Sequence, residues 1–290
     1  MDVKEQPDCT EAADPATGLA QMLEGLTQFP PWPSALGRIL TEFDRDDLDV
    51  SCLAEMISRE VAILSKLLRV ANSPFYGVSG NIANAQQAIN TIGLSNTRSI
   101  VLTAAVMSAI PQNLPKTFDQ HAFWQEAIVV AVAAEWLGKW LSLKDCDAFT
   151  AGMLHNIGKL LIAIRFPYQY EQMRLAALDP QVNEIELEKK TLGFTHAEAG
   201  AAIAEQWNFP AALIQGIRWH HAPEHSQHPL ASVLAVSDKI ASLTHLTTLN
   251  SEQIRTAVGE KSGTITLKDQ QWVALLDHTR AQSNTLGAML

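Results

Sequence analysis

Cysteine is scarce in this 290-residue chain, and its scarcity closes several routes. Cys9, Cys52 and Cys146 stand far apart, no CxxC pair occurs, and an odd count does not suit a disulfide framework. Basic residues are also short. Lys and Arg number 21 against 31 Asp and Glu, a net charge of −10, and no Lys/Arg run occurs. Phosphate neutralisation supplies most of a protein's affinity for duplex nucleic acid, so nucleic acid is not an expected partner. The same balance disfavours an anionic membrane surface. No uninterrupted apolar run reaches the roughly 20 residues that a membrane helix needs, and the first residues are polar and acidic rather than a signal segment, so the cytoplasm is the expected home. The phosphate-cradling GxxxxGK[ST] loop, the GxGxxG fingerprint and the GxSxG elbow are missing too.

What remains is a globular composition with 47% hydrophobic and 18% charged residues. Almost all of it reads as helix. Ile57, Val61, Leu64 and Leu68 recur at three- and four-residue steps, as do Trp124, Ile128, Val132, Trp136 and Trp140. Leu230, Val233, Leu234, Ile240 and Leu243 suit a further helix. Thr117 with Gln120, and Thr195 with Glu198, fit capping boxes. Gly93, Pro111, Gly193 and Pro210 read as stops. No pair of alternating strands joined by a tight turn stands out. The expectation is an all-α fold. Residues 1–15 read as a flexible tail. Residues 16–116 read as an N-terminal helical subdomain, with a break at Pro111–Pro115. Residues 117–245 form a histidine-bearing helical subdomain packed against it, and 246–290 a C-terminal helical extension that includes Trp272, Leu275 and Leu276.

Chemistry concentrates in the histidines. His155 lies in Gly152-Met-Leu-His155-Asn156-Ile-Gly158-Lys159 and is read as helical. His196 follows the cap Thr195, His220 and His221 close the helix Ala211–Trp219, and Asp238 lies inside an apolar helix. Imidazole and carboxylate are good ligands for iron, manganese, nickel or zinc. Asn156 stands where metal-assisted hydrolysis wants a carboxylate; an amide brings neither charge nor basicity. Lys159 and Arg165 follow the His155-Asn156 doublet and are placed either to meet a phosphate or, as is commoner, to lie along a helix face. A second feature is the turn-rich loop 71–81, carrying Asn72, Phe75 and Tyr76. It serves either as a buried plug, with Asn72 capping and Gly77 and Gly80 free to take positive φ, or as a partner-binding loop.

The stretch around His155-Asn156 resembles the HD superfamily of metal phosphohydrolases. The wider chain resembles its HDOD (HD-related output domain) branch of bacterial signalling proteins. That likeness is carried by Phe29-Pro-Pro-Trp-Pro-Ser34, Ser65-Lys-Leu-Leu-Arg-Val-Ala-Asn-Ser-Pro-Phe-Tyr-Gly77, Ala88-Ile-Asn-Thr-Ile-Gly-Leu94, Gly193-Phe-Thr-His-Ala-Glu-Ala-Gly200 and Ile217-Arg-Trp-His-His221. The resemblance implies an HD-like helical fold and a metal site built from a first histidine, the His-Asp doublet and a distant aspartate. His155 and Asp238 match that set, Asn156 replaces the doublet's aspartate, and Glu126, or Gln125 with a register slip, takes the first histidine's place. His121 is out of register. His196 and His220 or His221 match the second-metal histidines of the HD-GYP phosphodiesterases, but Ala222-Pro-Glu224 replaces the Gly-Tyr-Pro segment. His225, His228, His245 and His278 fit no position. The expected role is a non-catalytic signalling module that contacts regulatory proteins, its site vestigial or holding a divalent transition metal. The alternatives are a metal-dependent phosphohydrolase acting on nucleotides, and a nucleotide-sensing module without turnover.

Overall fold

The computed structural model describes residues 34–43, 45, 47–73, 82–109, 114–143, 145–244, 251–259 and 265–287. Among these, every regular element is a helix, as the sequence pattern predicts. The first group comprises α1 (Ser34–Phe43), α2 (Val50–Ser58), α3 (Val61–Ala71), α4 (Ala85–Ile92) and α5 (Leu94–Ala109). It encloses one apolar core, with Leu53, Ile57, Leu67, Ala85, Ala88 and Val101 fully or almost fully buried.

The second group is α6 (Gln120–Trp140), α7 (Asp145–Leu154), α8 (Ile157–Arg165), α9 (Pro167–Ala176), α10 (Glu184–Leu192), α11 (His196–Gln206), α12 (Ala211–Trp219) and α13 (Leu230–Thr244). Two further helices, α14 (Ser251–Gly259) and α15 (Asp269–Gly287), complete it. Their second core runs from Leu102 and Trp124 to Trp272, Leu275 and Leu286, so the last helix packs into the same interior as the histidine-bearing ones. The axle is α6, which touches α7, α13 and α15. Its Val130, Ala131, Val132, Ala133, Ala134 and Leu137 are all buried, so it has no solvated face in mid-span. Small side chains there let neighbours approach, and at Gly152 the α7 backbone lies against the Ala131 backbone where a Cβ would collide.

The two cores meet along α5, which packs on α3 from the first group and α7 from the second. Its Val101, Ala104 and Ala105 belong to the first core and Leu102 to the second.

Several local expectations need correction. The apolar steps Ile57, Val61, Leu64 and Leu68 span two helices rather than one: the chain breaks at Arg59–Glu60, and Val61 is 77% exposed. The period ran across the break by chance, and the buried residues on the second helix are Ile63, Leu67 and Ala71. Helix α6 is capped by Asp119, whose carboxylate accepts from the Ala122 N–H at 2.9 Å, not by Thr117. Asp is as good an N-cap as Thr and stands directly before the first turn. By contrast, Pro210 follows the Trp207 cap of α11 by three residues and itself stands as the N-cap of α12, so it marks the boundary between the two helices. Gly93 and Gly193 close α4 and α10 at φ of 82° and 81°, and Thr195 with Glu198 forms the capping box.

Phe75, Tyr76, Gly77 and Gly80, the stop at Pro111 and the proposed tail 1–15 lie outside the described residues. Asn72 is described. Its amide donates to the Leu68 and Ile82 carbonyls at 3.0 and 2.8 Å, and its oxygen accepts from the Ile82 N–H at 3.0 Å, tying the end of α3 to the far side of the loop. Among the described residues no helix is long and apolar enough to cross a membrane.

Candidate metal centre

The centre forms where α6, α7, α8, α11, α12 and α13 converge. His155 and Asn156 occupy the turn between α7 and α8, not the interior of a helix as the sequence suggested. The turn frees the His155 ring to fold back, so that its Nδ1 lies 2.7 Å from the Gly152 carbonyl. A carbonyl only accepts, so Nδ1 carries the proton and the Nε2 lone pair faces inward. Gly158 permits the next step. A Cβ on it would run into the His196 carbonyl, so only glycine lets the start of α8 lie against the start of α11.

His196 opens α11 and is fully buried. Its backbone N–H donates to Glu188 Oε2 at 2.8 Å, and its Nδ1 lies 2.8 and 2.9 Å from the two Glu188 oxygens. One carboxylate on α10 thus satisfies an open helix donor and sets the ring's orientation. His220, at the end of α12, repeats the His155 arrangement, with Nδ1 2.7 Å from the Ile217 carbonyl. Three rings are therefore held by their Nδ1 protons, leaving their Nε2 atoms as the ligand atoms.

Those Nε2 atoms crowd one another. His196 and His220 present theirs 3.4 Å apart, and His221 brings its Nε2 to 2.9 Å from that of His196. His155 Nε2 lies 3.4 Å from Asp238 Oδ1 on α13, and it is buried without a hydrogen-bond partner. Two groups emerge, His196/His220/His221 and Glu126/His155/Asp238, each with ligand atoms within 4.8 Å of one another. Facing lone pairs repel unless a cation lies between them. Two ligands of a tetrahedral ion at bond lengths near 2.1 Å stand about 3.4 Å apart, which matches both 3.4 Å separations. The residues present thus fit a divalent metal. Bound there, it would supply Lewis acidity and would lower the pKa of a water held beside it.

Burial and charge set the electrostatics. Burial takes His196 down to about 3 and holds His220 well below its ordinary value of 6.5, so both rings are neutral ligands at pH 7. Burial pushes Glu188 up to about 7, against the pull of the His196 backbone N–H and Lys159. Burial raises Asp238, but a hydrogen bond from His155 when its Nε2 carries a proton, and positive charge on His155, His220 and His221 when those rings are protonated, pull it well below the carboxylate range. Lys159 overcomes its burial through Glu184, Glu126 and Asp238, which raise it above its usual value; its Nζ lies 3.0 Å from Glu184 Oε2.

Sequence-predicted residues are brought together with one exception of role. Glu126 faces the centre; Gln125 turns away, its amide donating to the Gly287 carbonyl at 3.2 Å, which settles the register. His121 is exposed. Asn156 is at the centre, yet its Nδ2 donates to Glu126 Oε1 at 3.1 Å while its Oδ1 is buried without a hydrogen-bond partner. His228 accepts from the Leu230 N–H and His225 is exposed, so neither belongs to the centre. Glu188, Lys159 and Glu184 were not expected as members. The signal that could have found Glu188 is its step of four from Leu192, which puts both on one buried face of α10.

The HDOD domain family model matches residues 29–223. The chain belongs to the HDOD domain family. Consistent with that, this HDOD chain resembles a Shewanella amazonensis protein whose name proposes a phosphohydrolase, with 26% identity and a TM-score of 0.80 over 93% of this chain and 98% of that one. An HDOD domain protein of unknown function from Geobacter sulfurreducens shares the fold, with 20% identity, a TM-score of 0.76, and coverage of 94% and 99%. A protein of Treponema pallidum (strain Nichols), named uncharacterized, is 26% identical over 226 residues, 76% of this chain. The chain spans 43% of that relative's length.

Proposed function

We propose that this HDOD chain is a signal-transduction module acting through contacts with regulatory proteins, and that its histidine centre holds a divalent transition metal for structure rather than for turnover. The observation that carries the reading is Asn156. Where a carboxylate would add charge to the centre, an amide spends its N–H on Glu126 at 3.1 Å. The remaining acids facing the imidazoles are Glu126 and Asp238, and Lys159 offsets part of their charge. His155, His196 and His220 are at most 1% exposed, so a phosphoester could reach the centre only past Glu126, His221 and Asp238. Protein contact is supported by an exposed apolar stripe, Tyr168 and Leu175 on α9 with Leu178 just beyond it, 69%, 59% and 76% exposed.

A second reading, a metal-dependent phosphohydrolase, is favoured by the presence of two ligand groups, His196/His220/His221 and Glu126/His155/Asp238. One experiment separates them: metal content by mass spectrometry on chelator-free protein, with hydrolysis of bis(p-nitrophenyl) phosphate by wild type and Asn156→Asp. The expected outcome is bound metal without turnover in the wild type, and tighter binding in Asn156→Asp, because a carboxylate replaces an amide. Turnover by the wild type that disappears in Asp238→Asn would overturn the proposal in favour of the enzyme.

A further inference from the structure

Away from the histidines, a cavity of about 290 Å³ opens along the seam between the two cores. One wall is α3, which contributes Lys66, Arg69 and Val70 at helical spacing. A second is α5, with Ile100, Thr103, Ala104 and Met107 among its lining residues. The walls given by α6, α7 and α15 are apolar at Ile128, Phe149, Met153 and Leu286. Their one carboxylate, Glu135, is held by Lys139 at 2.8 Å.

Two polar groups of this cavity, Lys66 and Thr103, are poorly served by the protein. Lys66 has no carboxylate partner among the described residues. Its ammonium instead lies 3.1 Å from the Met107 thioether, a weak acceptor. Thr103 Oγ1, on the same lining, is buried without a hydrogen-bond partner. A half-buried cation beside a second cation and an unused hydroxyl, next to an apolar chamber, is the complement of one kind of molecule. We infer that the seam cavity binds a small amphipathic anion, its carboxylate or phosphate head on Lys66 and its hydrocarbon body against Ile100, Ile128, Phe149 and Leu286.

Size narrows the class. A cavity of roughly 150 Å³ accommodates benzene, so this one holds about twice that, a chain of roughly ten carbons. A nucleotide would bring a polar base and sugar into walls that offer them mostly hydrocarbon. Burial, with Arg69 alongside, holds the Lys66 ammonium below its ordinary range, so an arriving anion relieves a cost the free protein carries. The occupant would touch helices of both cores, and the inference stands independently of what the histidine centre does.

The test is isothermal titration calorimetry of the full chain with decanoate, decyl phosphate and decanol, repeated on Lys66→Gln and on Ala104→Leu, which fills the cavity. Saturable one-to-one binding of at least one anion is expected, with decanol about tenfold weaker or more, since a hydrogen-bonded charge is lost. Lys66→Gln should bring the anions down to decanol's level, and Ala104→Leu should weaken all three. The affinity ratio of decanoate to decyl phosphate then assigns the head group. Absence of saturable binding by both anions overturns the inference, as does decanol binding the wild type as tightly as they do. That wild-type comparison holds even if either variant fails to fold.

Discussion

Glu188 lies in a stretch, Glu184-Ile-Glu-Leu-Glu-Lys-Lys190, that in sequence looks like a solvated helix face, yet it is 4% exposed and holds His196 by both the backbone N–H and Nδ1. Removing its charge should therefore be felt at a distance. Glu188→Gln keeps a single carbonyl acceptor where two donors need one, and its amide hydrogens would face them. We expect zinc affinity to fall 10- to 100-fold and stability by about 1–3 kcal/mol, read by metal titration and by urea unfolding. His196→Ala would lose affinity too, so the informative contrast is that Glu188→Gln does so while every ligand atom remains. That His155, His196, His220, His221 and Asp238 gather at one centre was legible in the sequence, because they sit beside recognisable neighbours. What was not legible is which nitrogen each ring offers. That depends on carbonyls of Gly152 and Ile217 whose direction only the folded turn fixes.

Helices α8 and α11 meet start to start, and the contact has no slack. On Gly158 a Cβ would strike the backbone carbonyl of His196, whereas on Gly216 it would meet the Leu230 side chain at 3.0 Å, which can shift. Gly158→Ala should cost about 3 kcal/mol or more, and Gly216→Ala about 1 kcal/mol, measured as shifts in urea midpoint at unchanged slope. Gly158→Ala should also displace His196 and reduce metal binding. Helix identity was readable from apolar period, but helix ends were less so. The step from Ile57 to Val61 has the correct spacing across a break, and Asp119 competes with Thr117 for the same first turn; periodicity carries no information about which residue leaves the helical φ/ψ region.

For the molecule as a whole, buried titratable groups dictate how stability follows acidity. As pH falls below 6.5, the unfolded chain protonates histidines equivalent to His196 and His220, while in the folded protein they stay neutral until about pH 3 for His196. The unfolded state then binds more protons, and stability drops. Glu188 works the other way: folded, it keeps its proton up to about 7, while unfolded it releases it near 4.5, so it costs stability as pH rises through that window. Two histidine protons against one carboxyl proton leave a net loss of stability on acidification. The slope steepens below 4.5, where Glu188 no longer opposes, and Asp238 adds its own loss as it protonates. Urea unfolding of chelator-treated protein from pH 7 to 4 should show this profile; stability that is flat or rises on acidification would contradict the burial of neutral rings. The shared helix α5 sets the cooperativity of that unfolding. Because Leu102 is built into one interior and Val101 and Ala105, on either side of it, into the other, neither half can melt without stripping its neighbour. A single calorimetric endotherm should result, and the amide hydrogens of residues 100–105 should exchange with solvent only when the entire chain opens.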